Sequence, residues 1–91
     1  MKPKYRKVEV SPEVLVQAVA GESVLLDLKS EKYFGLNGVG TRFWELLQDG
    51  KDVQAARAKL LEEFDVTEAV LDADLESLLD RLVQAGLVQE T

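Results

Sequence analysis

Carboxylates are the only abundant side chains here that could support acid–base or metal chemistry, because the chain has no histidine and no cysteine. Those two absences remove thiolate nucleophiles, disulfides, imidazole catalysis and Cys/His metal sites. Asp72 and Glu76 stand four residues apart on what reads as a long helix. Acid–base work needs two carboxyls whose surroundings separate their pKa values, normally in a pocket. These two belong instead to a solvated helix flank, and no calcium-loop spacing accompanies them. The run Gly35-Leu-Asn-Gly-Val-Gly40 places three glycines ahead of a helix. Its spacing matches neither the dinucleotide fingerprint nor the Walker pattern, and no lysine follows the last glycine. It reads as a tight strand-to-helix turn. No catalytic residue, metal ligand or cofactor is expected.

Charge narrows the classes further. Seventeen acids face eleven bases, for a net charge of −6 over 91 residues. Lys2, Lys4, Arg6 and Lys7 crowd into the first seven positions. Between Leu61 and Asp80 there are eight acids and no base. An acidic domain is poorly suited to holding phosphate backbones, which supply most of the affinity for nucleic acid. No apolar run approaches the ~20 residues of a membrane span, and the basic start lacks the apolar region of a secretory signal. The expectation is a cytoplasmic protein of one domain, residues 1–91, with residues 1–10 as a flexible basic arm.

The elements that would position these residues can be read in order. Val14 to Val19 is rich in β-branched residues and follows a Ser11-Pro12 turn. Gly21-Glu22 suits a hairpin turn before a strand from Ser23 to Leu28. Lys29 to Lys32 forms a second polar turn, and Tyr33-Phe34 opens a short third strand. Asn37, Asp52 and Thr67 are N-caps for three helices, over about 38–48, 53–63 and 68–85, with Gly86 at the last C-terminus. The fold class is α+β, with a three-stranded antiparallel sheet followed by three helices. That order matches a winged helix in outline. A recognition helix, however, should be basic, and the long helix here is acidic.

On a helical wheel the third helix is apolar over more width than one packing contact needs. Leu71, Leu75, Leu78 and Leu82 form its core stripe. Leu79 and Val83 extend the apolar surface to one side, interleaved with Asp72 and Glu76. Val70, Asp74, Ser77 and Arg81 make the opposite flank more polar. A domain this small can need all of that width for its core; the sharper reading is that Leu79 and Val83 line a groove for a partner.

The stretch Val24 to Gly50 carries Lys-Tyr-Phe-Gly-Leu-Asn-x-Val-Gly-Thr-Arg-x-Trp-Glu-Leu-Leu. With Phe64-Asp-Val-Thr and the closing Asp74-Leu … Leu82-Val-Gln-Ala-Gly-Leu87, it resembles a known family. This is the family of small peptide-binding proteins named after the pyrroloquinoline quinone biosynthesis D protein, the PqqD-like RiPP recognition elements. The likeness runs from about Val14 to Val88. The Tyr33-Phe34 pair makes the chain most similar to the stand-alone leader-binding proteins of lasso-peptide clusters.

The resemblance implies a winged-helix-turn-helix-like domain without catalysis. Such a domain binds the leader of a ribosomally made, modified precursor peptide as a strand added to its third β-strand. It then presents the precursor to a leader peptidase, whose product goes to a cyclase; neither nucleic acid nor membrane is a partner. Lys32, Tyr33, Phe34 and Gly35 would supply the strand edge. Leu75, Leu79 and Val83 would supply the apolar wall, and Asp72 and Glu76 would meet polar or basic leader groups. Lasso leaders of this type commonly carry a Tyr and a Pro with two residues between them. The alternative from a different class is a regulatory or assembly module docking to a larger protein through its acidic third helix.

Overall fold

The computed structural model describes residues 6–91. Eight elements follow in order: β1 (Val8–Val10), β2 (Val14–Val19), β3 (Glu22–Asp27), β4 (Lys32–Leu36), α1 (Gly38–Gln48), α2 (Val53–Glu63), α3 (Glu68–Gln84) and β5 (Val88–Glu90). β2, β3 and β4 form an antiparallel meander with β3 in the middle. The three helices follow it, so the α+β order expected from the sequence holds. A second, two-stranded ribbon pairs β1 with β5.

Turn chemistry sets the meander's register. Val19 pairs with Glu22, which leaves Ala20-Gly21 as a two-residue loop. Both carry positive φ, 53° and 83°, as a type I′ turn requires. The turn thus lies one residue before the expected Gly21-Glu22. At the other end Asp27 pairs with Lys32 across a four-residue loop. The Asp27 carboxylate accepts bonds from the Lys29 N–H at 3.1 Å and the Ser30 hydroxyl at 2.8 Å. These bonds, the Ser30 one foremost, hold its pKa below the usual carboxylate value against the opposing effect of burial.

Each helix begins at the expected cap. Asn37 accepts from Gly40 N, Asp52 from Ala55 N, and Thr67 from Val70 N. Gly50 and Gly86 follow α1 and α3 with φ of 87° and 75°, a conformation only glycine adopts without strain. Gly40 sits in close quarters: a Cβ there would lie 3.2 Å from Asn37 Oδ1 and 3.3 Å from Leu36 Cδ2, so those side chains would have to give by a few tenths of an ångström. Next to it Thr41 is buried, its hydroxyl 2.8 Å from that of Ser23 on β3. The glycine-rich signature therefore folds β4 directly onto α1.

The core joins β3, β4 and all three helices through Leu25, Leu36, Phe43, Trp44, Leu60 and the α3 leucines. The N-terminal stretch differs from the expected arm. Val8 and Val10 pack against this core, and β1 pairs with β5. Arg6 is buried, with side-chain exposure of 5%, and binds Glu76, Asp80 and Glu90. A strand partner arriving from the far end of the chain orders this segment, and no local signal announces it. Lys2 and Lys4 lie outside the described residues.

Candidate functional site

β4 is an edge strand, since β3 is its one strand partner among the described residues. Its backbone polarity follows from the hairpin. In a two-residue loop the closing pair, Val19 and Glu22, is hydrogen-bonded, and bonding then alternates along β3. Glu22, Val24 and Leu26 turn their amides toward β2; Ser23, Leu25 and Asp27 turn theirs toward β4. Phe34 therefore bonds back to Leu25, whereas Tyr33 and Gly35 present N–H and C=O groups to the free edge. Neither makes a backbone bond to any loop or cap among the described residues.

The free edge opens onto a groove of about 370 Å³. One wall is Gly35, Leu36 and the start of α1; the other is α3, through Asp74, Ser77, Leu78 and Arg81, with buried Leu75 at the base. A Cβ built on Gly35 would meet nothing within 4 Å. A glycine inside a strand is a common mark of close approach by another backbone.

Side chains alternate across β4. Phe34 shares the inner face with Leu25 and Val16, and the Arg81 guanidinium lies over its ring, 5.6 Å from the centroid. Tyr33 stands on the outer face in a cross-strand row with Leu26 and Leu15, and is 74% exposed. A strand laid along β4 would send alternate side chains into the groove and onto this outer row.

The expected wall of α3 is corrected in three respects. Leu79 is fully buried, at 0% exposure, and belongs to the core. Val83 is half-buried and packed against that core. Asp72 binds Arg57 of α2, with Nε–Oδ1 at 2.5 Å and Nη2–Oδ2 at 3.2 Å, and Glu76 binds Arg6. The Arg57 pKa is raised by its bond to Asp72 above all. Two parts of the chain engage this flank: α2, whose Arg57 takes Asp72, and the segment leading into β1. Arg6, immediately before β1, reaches Glu76 and Asp80 on the side of α3 that bears Leu79 and Val83. The polar flank is left open, and Asp74, Ser77, Leu78 and Arg81 line the groove, where the sharper reading of the helical wheel put the Leu79–Val83 side. Arg81 had a visible signal, as the first base after a run of acids. Of the other expected residues, Gly35 lines the groove and Leu75 lies buried at its base, whereas Tyr33 stands on the outer face and neither Lys32 nor Phe34 is among the lining residues.

The acidic run is also not one free face. Glu68 and Asp72 converge on Arg57, and Glu76 and Asp80 on Arg6. No group of three or more acidic residues among the described residues is placed to hold a metal ion, and none of the described helices is long and apolar enough to cross a membrane.

Comparison with known proteins bears on the fold and the family. No curated protein matches the chain. Two solved structures share its fold. One is TbiB1 in complex with the TbiA(beta) leader peptide, 32% identical, covering 89% of this chain and 94% of that one, with a TM-score of 0.81. The other is a lasso peptide synthetase B1 complexed with the leader peptide, 26% identical, covering 90% and 96%, with a TM-score of 0.76. The family model of coenzyme PQQ synthesis protein D matches residues 22–88, most of the chain, and the protein belongs to that PqqD family.

Proposed function

We propose that this protein is a non-catalytic leader-binding adaptor of ribosomal peptide biosynthesis, of the lasso type that its solved relatives represent. The carrying observation is the open β4 edge: Tyr33 and Gly35 offer unpaired backbone groups beside a groove floored by Leu75 and walled by α3. Strand addition uses such an edge for affinity and side pockets for selection. The solved relatives, which share the fold, were each determined with a leader peptide bound. The leader then runs along β4, with inward side chains between Phe34 and the Asp74–Arg81 flank. Bound in this way, the precursor is presented to a leader peptidase in the cytoplasm, and its product passes to a cyclase. The engagement of α3's acids by Arg57 and Arg6 disfavours a module that docks through an acidic helix.

The experiment titrates a lasso-type leader peptide and follows amide hydrogen exchange. Saturating leader should slow exchange at Tyr33 and Gly35 while leaving Phe34, already bonded to β3, nearly unchanged. Adding the protein to precursor and peptidase should accelerate cleavage, and the protein alone should leave the precursor's mass intact. Protection confined to β2, or cleavage by the protein alone, would refute the proposal.

A further inference from the structure

The groove is electrically polar along its length. Arg6, Arg42 and Arg57 each hold carboxylates, whereas Arg81 is the one arginine among the described residues with no carboxylate partner. Its contact is the face of Phe34. Asp74, on the same wall, likewise has no cation partner among the described residues. The two are seven residues apart on one helix, so about 10 Å separates them along the axis.

The direction of this dipole relative to β4 is fixed by the fold. Past the C-terminus of α3, Gly86 shares a surface cleft with Asp27, the β3 residue paired with Lys32 at the start of β4. At the other end, Asp74 shares the groove with Asn37 and Val39, just beyond the end of β4. α3 thus runs opposite to β4. Arg81 and exposed Lys32 mark the end where β4 begins, and Asp74 marks the end where it finishes. A strand added antiparallel to β4, in keeping with the rest of the sheet, meets Asp74 first and Arg81 afterwards.

We infer that Asp74 and Arg81 set the direction and register of the bound peptide by selecting a basic residue followed by an acidic one. The inference rests on the strand-addition reading and specifies the peptide's chemistry. Strand residues advance about 3.3 Å each and alternate faces, so two inward side chains serving charges about 10 Å apart stand roughly two or four positions from each other. Charges at an exposed groove rim select and steer more than they anchor. Arg81 can meet a carboxylate without first breaking an ion pair. Its stacking on Phe34 also holds the guanidinium at the strand edge.

The test is selection from a displayed library of random 15-residue peptides against four proteins: wild type, Arg81→Glu, Arg81→Gln and Asp74→Lys. Thermal melts confirm that each is folded. Wild type should enrich peptides with a base preceding an acid at that spacing. Arg81→Glu should replace the acid by a base, Arg81→Gln should relax the preference there, and Asp74→Lys should replace the base by an acid. A synthetic winner should bind Arg81→Glu about tenfold more weakly, and reversing its acid to lysine should restore affinity. Peptides that bind wild type and lose binding with Tyr33→Pro, yet show the same charge pattern on all four proteins, would overturn this inference and leave strand addition standing. If wild type enriches no peptide at all, the strand-addition reading fails and this inference fails with it.

Discussion

The two flanks of α3 have opposite fates. On one, Glu76 and Asp80 meet Arg6, Asp72 meets Arg57, and Leu79 is sealed in the core. On the other, Asp74 and Arg81 face a groove and the unpaired edge of β4. Both flanks mix apolar and charged residues, so composition does not separate them. What separates them is whether another part of the chain arrives to cover the side. Arg57 of α2 and Arg6, at the start of the β1/β5 ribbon, engage one, while β4 stops short of the other. A helix can in this way serve the fold and a ligand at once, and mutations on the two sides should report different properties.

The largest expected effect is on the closed flank. Leu79→Ala should destabilise the protein by about 2–5 kcal/mol, as emptying a fully buried leucine site does, and match Leu82→Ala in a denaturant titration. Any loss of leader affinity should vanish once the folded fraction is taken into account. Affinity that collapses in a fully folded Leu79→Ala would mean this side chain does reach the ligand.

Arg6→Ala comes next. It leaves Glu76, Asp80 and Glu90 facing one another without their shared cation. Removing one partner of a buried ion pair costs about 3–5 kcal/mol. The carboxylates here are about a third to a half exposed, so a loss of about 1–3 kcal/mol is expected. The amides of Val8 to Val10 should exchange faster in the same variant. Asp72→Lys should likewise lower the thermal midpoint by opposing Arg57, with little change in leader binding.

A smaller effect concerns acid. Asp27, through the Ser30 hydroxyl, and Glu63, through the Arg42 guanidinium, both titrate below their ordinary values in the folded chain. The unfolded chain takes up these protons first as pH falls. The stabilisation is therefore complete above the ordinary carboxylate range and is lost as pH drops through about 4 toward the folded values. Asp27→Asn should lower the thermal midpoint at pH 7 and flatten its decline below that point. An unchanged acid profile would show that the turn bonds contribute nothing.

Local chemistry made much of this fold readable. Asn37, Asp52 and Thr67 each cap a helix because a side-chain oxygen can reach an N–H three residues on, a signal contained in a few residues. The short third strand and the glycine turn into α1 were legible for the same reason. The β1/β5 ribbon was not, since three-residue strands nearly eighty positions apart carry no pattern that links them. The segment leading into that ribbon, together with Arg57 of α2, also occupies one flank of α3. The wheel correctly identified the excess apolar width around Leu79, but only the assembled fold shows that the core consumes it. Strand polarity is subtler still. That Tyr33 and Gly35 face outward, and Phe34 inward, depends on the Ala20-Gly21 turn lying one residue earlier than its composition suggests.

This polarity supplies the most direct test of the central claim, that a leader pairs with the β4 edge. Calorimetric titration of leader into Tyr33→Pro and Phe34→Pro, each with its circular dichroism spectrum, separates the two kinds of amide. Proline is tolerated on an edge strand where the missing N–H faced away from the sheet. Tyr33→Pro should keep a near-native fold and lose leader binding by tenfold or more. Phe34→Pro, which removes a bond to β3 and the ring beneath Arg81, should lose stability first. A folded Tyr33→Pro that binds leader with wild-type affinity would contradict strand addition at β4.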